Sequence, residues 1–128
     1  MQILQPKDIF LSSHYVPGVK AGNMIFTSGV VPVQIDGTVY APNDAEAQTR
    51  FIIDVLEKIL AEGNADLHDV TYIHTYYLRP EDMQAVFKVM HEKFGEKLPP
   101  HTGTWENKDS FRDRGICLEL EFFAVVED

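Results

Sequence analysis

Between Tyr15 and Pro32 the chain reads YVPGVKAGNMIFTSGVVP, two apolar runs separated by Ala21-Gly22-Asn23. Val16 and Val19 before the break, and Met24, Ile25 and Phe26 after it, are the β-branched, aromatic and bulky residues that suit a pleated strand. Gly22 and Asn23 tolerate the positive φ that a tight turn between paired strands requires. The stretch therefore reads as a β-hairpin. Its second strand ends in the polar step Thr27-Ser28-Gly29, which leaves a hydroxyl and an accessible backbone amide where the strand stops. Small-ligand floors are often built that way.

The rest of the chain alternates helix and strand patterns. Gln34-Ile35-Asp36-Gly37 reads as a turn and Thr38-Val39-Tyr40 as a short strand. Asn43 is the predicted N-cap of a first helix, with Glu46 completing a capping box. Ala47, Phe51, Val55, Leu56, Ile59 and Leu60 recur at helical spacing, and Gly63-Asn64 stops the run. VTYIHTYYL, Val70 to Leu78, reads as a strand. A second helix begins at Pro80, buries Met83, Val86, Phe87, Met90 and Phe94, and stops at Gly95. Pro99-Pro100 opens an extended segment. GICLELEFFAVV, Gly115 to Val126, is the final strand, with Glu119 and Glu121 on one face and Leu118, Leu120 and Phe122 on the other.

That order predicts an α+β fold, a mixed sheet with two helices packed on one face. No linker or repeat divides it, so residues 1–128 form a single domain. The uncovered sheet face, with Tyr72, His74 and Tyr76, calls for self-association.

Charge and composition narrow the function. With 11 basic and 20 acidic residues the formal charge is −9, and no cluster of Lys and Arg stands out. Such a field repels phosphate backbones, so no nucleic-acid partner is expected. Cys117 is the one cysteine, which rules out an intrachain disulfide and suits a reducing cytoplasm. No leader pattern or membrane-spanning apolar run occurs, and no membrane partner is expected. The five histidines show no metal-ligand spacing, and no Gly-rich phosphate loop is present, so neither metal nor cofactor is expected.

Glu119 is the first candidate for chemistry. A carboxylate flanked by apolar neighbours on a strand loses hydration, its pKa rises, and it can hold or activate a water. The plain alternative is that Glu119 and Glu121 occupy the wetter face of an interface strand. Ser28 lacks a neighbouring base and a GxSxG context, so it reads as a ligand or water contact rather than a nucleophile. A Tyr placed before a hairpin, as Tyr15 is, usually serves packing. Cys117, inside the last strand, reads as a buried apolar residue.

These segments, in order along nearly the whole chain, resemble the Rid (reactive intermediate deaminase, or YjgF) family. The resemblance is carried by YVPGVKAGNMIFTSG, AQTRFIIDVLEKILAEG, DVTYIHTYYL and the Glu-hydrophobic-Glu of the last strand. It implies a chorismate-mutase-like fold and a homotrimer with ligand clefts at the subunit contacts. It also implies that Tyr15, Ser28 and Gly29 line the cleft and that Glu119 positions a hydrolytic water. The departure is at Pro99-Pro100-His101-Thr102-Gly103. Active Rid deaminases carry Pro-Ala-Arg-Ser-Cys there, and their Arg grips the carboxylate of a 2-imino acid. Here His101 holds the Arg position and Gly103 the Cys position. A guanidinium is permanently charged and presents a planar fork, whereas an imidazole is only roughly a quarter protonated at pH 7.

Arg112 and Arg114 can swing in to replace the lost charge, or stay as loop residues paired with Asp109 and Asp113. Trp105 is either an aromatic wall for a ligand or packing. The expected function is binding of a small organic molecule, with hydrolysis of an imine or enamine of altered specificity, His101 contacting substrate. The alternatives are a non-catalytic ligand-binding or chaperone-like module and, behind it, an endoribonuclease or translation inhibitor.

Overall fold

The computed structural model describes residues 1–127. Its strands are β1 (Gln2–Leu4), β2 (Gly18–Ala21), β3 (Met24–Thr27), β4 (Val70–Tyr77), β5 (His101–Trp105) and β6 (Leu118–Val125). Its helices are α1 (Ala45–Glu62), α2 (Met83–Phe94) and the single-turn α3 (Asp109–Asp113). The strands form one six-stranded sheet in the order β1-β2-β3-β6-β4-β5. Only β4 and β5 run parallel; the other neighbours are antiparallel. The expected architecture, a mixed sheet with two long helices, is the one found.

The hairpin pairs Gly18 with Thr27 and Ala21 with Met24, and Gly22 makes the turn at φ +61°. The last strand lies in the middle of the sheet, between β3 and β4, and its burial follows the pleat. Leu118, Leu120, Phe122 and Ala124 are buried, while Glu119, Glu121 and Phe123 are not. Against the buried face α1 sets Ile52, Ile53, Leu56, Ile59 and Leu60, and α2 sets Val86, Val89 and Met90. Each apolar side chain so buried contributes about 1.5–3 kcal/mol.

Several local expectations shift. Asp44, not Asn43, caps α1: its carboxylate accepts the Ala47 amide at 3.0 Å, while Asn43 turns into the left-handed region at φ +65°. Thr38–Tyr40 does not join the sheet and makes one isolated bridge, Val33 to Val39. The segment after Pro100 is a true strand, β5, because β4 offers it a parallel edge from Ile73↔His101 to Tyr77↔Trp105. The second helix opens as a 3₁₀ turn at Pro80–Asp82, so Met83 stays exposed and the buried face of α2 starts at Val86. Cys117 is buried as expected, and burial pushes its thiol up to about 12.

One polar side chain ties these layers together. Gln48, fully buried on α1, aims its amide nitrogen at the carbonyls of Tyr40, Ala41 and Gly115, at 3.1, 3.0 and 2.8 Å. Its carbonyl oxygen accepts the Cys117 amide at 2.9 Å. The loop before α1 and the start of β6 are thus pinned to one residue. Among the described residues no helix is long and apolar enough to cross a membrane.

Gln48→Leu keeps the volume but leaves several backbone groups without partners in a dry interior. It should lower stability by about 3 kcal/mol, read as a fall in the urea midpoint with an unchanged slope.

Candidate functional site

Where β3 ends, Ser28 is held twice: its amide donates to the Pro17 carbonyl at 2.8 Å and its hydroxyl to the Val16 carbonyl at 2.7 Å. Two residues further, Val30 and Leu120 exchange two backbone bonds of 2.7 and 3.1 Å. Gly29 is fixed between these clamps, and its amide hydrogen reaches no acceptor among the described residues. The Glu119 carboxylate lies against it. A Cβ added at Gly29 would collide with Oε1 of Glu119, so the absence of a side chain is what makes room for the acid. Tyr15, Ser28 and Gly29, with Ile9, Phe10 and Val30, line a cavity of about 60 Å³. Val55 and Ile59 of α1 close that cavity and Glu119 is not in its lining: the acid meets this corner through Gly29, on the sheet face away from the helices.

Glu119 is half-buried, and loss of hydration pushes its carboxyl above the usual range; Lys108 opposes the shift, and Glu106 and Glu121 add to it. Glu121 is engaged differently. On the neighbouring strand Tyr76 stands opposite Glu119 and His74 opposite Glu121. The Tyr76 hydroxyl donates to Glu121 at 2.6 Å, with His74 Nδ1 3.7 Å away. The His74 and Tyr76 rings stack at 4.1 Å. This bond to Glu121, with burial, raises the Tyr76 hydroxyl pKa. Glu119 is the less committed acid of the pair.

His101 does not join this corner within one protomer. It pairs with Ile73 on β5 and faces the helices, where Nε2 sits 2.9 Å from the Thr75 hydroxyl and the ring lies edge-on to Phe87 at 5.1 Å. Burial, reinforced by the charge of His74, pushes its pKa down, away from the imidazolium. Gly103 continues that face: a Cβ there would crowd the Tyr77 ring at 2.9 Å. Among the described residues the buried Tyr77 hydroxyl has no hydrogen-bond partner, and burial pushes it up to about 12. Trp105 is not core; it is 54% exposed and leans on Tyr77 at 4.9 Å.

Neither arginine of the following loop replaces the missing guanidinium here. Arg112 bonds Asn107 and Asp109, and Arg114 donates to the Gly37 carbonyl at 2.9 Å. The cation whose charge acts on Glu119 is Lys108, which sequence reasoning missed. It pairs with Glu106 at 3.0 Å, lies 4.9 Å from the Phe111 ring centroid, and its ammonium feels both Glu119 and Tyr15. No spacing rule marks such a residue; a Glu-x-Lys in a loop looks like any solvated pair. Among the described residues no group of three or more His, Cys, Asp or Glu could hold a metal ion.

Comparison with known proteins is consistent along the chain. The family model described as Endoribonuclease L-PSP matches residues 7–126. The 3-aminoacrylate deaminase RutC of Acinetobacter baylyi is 34% identical over 101 residues, 73% of this chain and 80% of that protein. A RutC family protein of Pyrococcus abyssi is 28% identical over 113 residues, 88% and 87% of the two chains. The YjgF gene product of E. coli superposes with TM-score 0.85 at 23% identity, covering 99% of this chain and 100% of that one. RidA of the Antarctic bacterium Psychrobacter sp. gives TM-score 0.86 at 17% identity, over 98% and 100%.

Two expectations follow from the corner. Gly29→Ala displaces the tip of a flexible side chain rather than backbone, so stability should change by about 1 kcal/mol or less. The carboxyl stretching band of Glu119 in a difference infrared titration should nevertheless move, since its surroundings are rebuilt. The second concerns pH. The folded pKa of Glu119 lies above the ordinary value of 4.5, so the native state holds that proton more tightly than the unfolded chain does. The associated stability is present below the unfolded value and is lost as pH rises through the folded one. Glu119→Gln should accordingly melt higher than the parent at pH 7, with the gap closing toward pH 4.

Proposed function

The chain belongs to the Rid (YjgF, Endoribonuclease L-PSP) family, and from that premise we propose that it hydrolyses a small imine or enamine. Glu119 activates the water. The observation that carries this reading is the half-buried carboxylate seated against side-chain-free Gly29, beside an uncommitted backbone amide. Water held by Glu119 adds to the imine carbon while the carboxylate accepts its proton, and the C=N π pair moves to nitrogen. The resulting carbinolamine takes a proton on nitrogen, the C–N bond breaks, and ammonia leaves as the carbonyl forms. The net change is one imine and one water to one carbonyl and one ammonia. The Gly29 amide donates to the substrate, Ser28 and Tyr15 shape its floor, and His101 contacts it as a neutral imidazole.

The working form is a homotrimer with the cleft between subunits. In one protomer the sheet face away from the helices leaves Ile3 57% and Met24 45% exposed. Phe26 and Phe123 lie on the same face with ring centroids 5.2 Å apart, and Tyr72 approaches Phe123 at 5.4 Å. A patch of this kind is covered in stable proteins. The acidic balance of −9 weighs against RNA as the substrate, because phosphates would meet repulsion with no basic track to offset it. The sequestered His101 favours a second reading, a binding module that kept the cleft without the chemistry. A ligand that raises the melting temperature without being turned over is its signature.

The deciding assay generates imines in place, from amines or amino acids with the matching oxidase, and follows ammonia release. The protein should sediment as a trimer and accelerate at least one imine over buffer. Glu119→Gln should reduce that acceleration about 100-fold, the usual scale for losing a general base. A folded protein that accelerates none of them ends the hydrolase reading.

A further inference from the structure

Glu119 does not stand alone at its corner. Glu121 stands two residues along on the same face of β6, Glu106 continues β5 past Trp105 on the far side of β4, and both act on the Glu119 charge with Lys108 opposing them. The Lys108 ammonium is paired by charge: its Nζ sits 3.0 Å from Oε2 of Glu106, an oxygen shielded from solvent that accepts no aligned hydrogen bond among the described residues. The Glu106 backbone is also fixed, since its amide donates to the Tyr77 carbonyl at 2.8 Å and prolongs the β4–β5 ladder. Three arginines have partners of their own: Arg112 with Asn107 and Asp109, Arg114 with the Gly37 carbonyl, and Arg79 with Asp82 at 2.7 and 2.8 Å. His101 offers no positive charge in compensation, because its ring is turned to Thr75 and Phe87.

We propose that the cleft selects imines that carry no carboxylate, and that the Glu106–Lys108 pair sets this preference by engaging the cation beside Glu119. The inference rests on the imine-hydrolase reading and specifies its substrate class. On the side of the cleft that this protomer supplies, an incoming carboxylate would meet a net negative field, and to gain a partner there it would have to draw Lys108 away from a shielded oxygen. A protonated imine, R–CH=NH₂⁺, meets the opposite situation: the same field attracts it, and the positive carbon faces the acid that delivers water. Imines of this kind come from two-electron oxidation of primary amines, so an amine-oxidising reaction is the class that would supply the substrate.

The test compares two probes generated in place. Butan-1-imine comes from butylamine and an amine oxidase, and 2-iminopropionate from alanine and an amino-acid oxidase. We expect kcat/KM at least 10-fold higher for butan-1-imine. Equal rates, or preference for 2-iminopropionate with activity lost in Glu119→Gln, overturn the charge inference and leave the hydrolase reading standing. If neither probe outpaces buffer, both fall. Glu106→Gln frees Lys108, and the ratio of the two kcat/KM values should shift at least 10-fold toward 2-iminopropionate; an unchanged ratio overturns the role given to the pair. Should that variant not fold, inhibition of the unmodified protein decides the same question. Butylammonium should inhibit at lower concentration than propionate, and the reverse order overturns the proposal.

Discussion

The amide of Gln48 connects the helical layer to the chemistry. It is a buried polar group on α1 whose four contacts lie on two distant segments of the chain. Burying an amide is unfavourable unless its donors and acceptor are met, so the arrangement tolerates little slack. Because Cys117 is one of those partners, the start of β6 is positioned two residues before Glu119. The pleat then decides the rest. With Leu118 and Leu120 drawn into the core, Glu119 has to stand on the opposite face.

The acid's environment reflects a conflict between stability and use. A carboxylate half out of water, with two more acids acting on it, is an unfavourable thing to fold around, and Lys108 is the charge that offsets it among the described residues. Glycine at position 29 removes the remaining obstacle by yielding space to the carboxylate. A chain selected for stability alone would fill that corner with a methyl group and a neutral side chain. The clamps on Ser28 and the Val30–Leu120 bridge instead hold a rigid backbone around an uncomfortable acid, the pattern expected where function resides.

Much of this was legible in the residues themselves. The hairpin, both long helices and the alternation of β6 were readable because periodicity and turn chemistry are local properties. The parallel strand β5 was not. HTGTW has little apolar alternation, and it becomes a strand only because β4 presents an open edge. Thr38–Tyr40 failed in the opposite direction: strand-like residues found no neighbour beyond the single Val33–Val39 bridge. At the site, the joining of Gly29 to Glu119 was carried by resemblance and not by any spacing, since the two lie 90 positions apart in the sequence. Lys108 stayed hidden because a loop lysine gains meaning only from what folds next to it.

The sidedness of β5 constrains how the site can work. Its residues alternate, so His101, Gly103 and Trp105 turn toward the helices, with His101 at Thr75 and Phe87. Thr104 turns the other way, bonded to His74 at 3.1 Å on the face that carries Glu119. A one-residue register slip would exchange the two sets, but five paired positions with β4 fix the register. Within one chain, then, the position that carries the resemblance to an anion clamp and the acid that would activate water are separated by the sheet. A single ligand touched by both must be shared by two copies of the protein. In the proposed homotrimer, contact between the uncovered sheet face and a second copy is what would bring the two together.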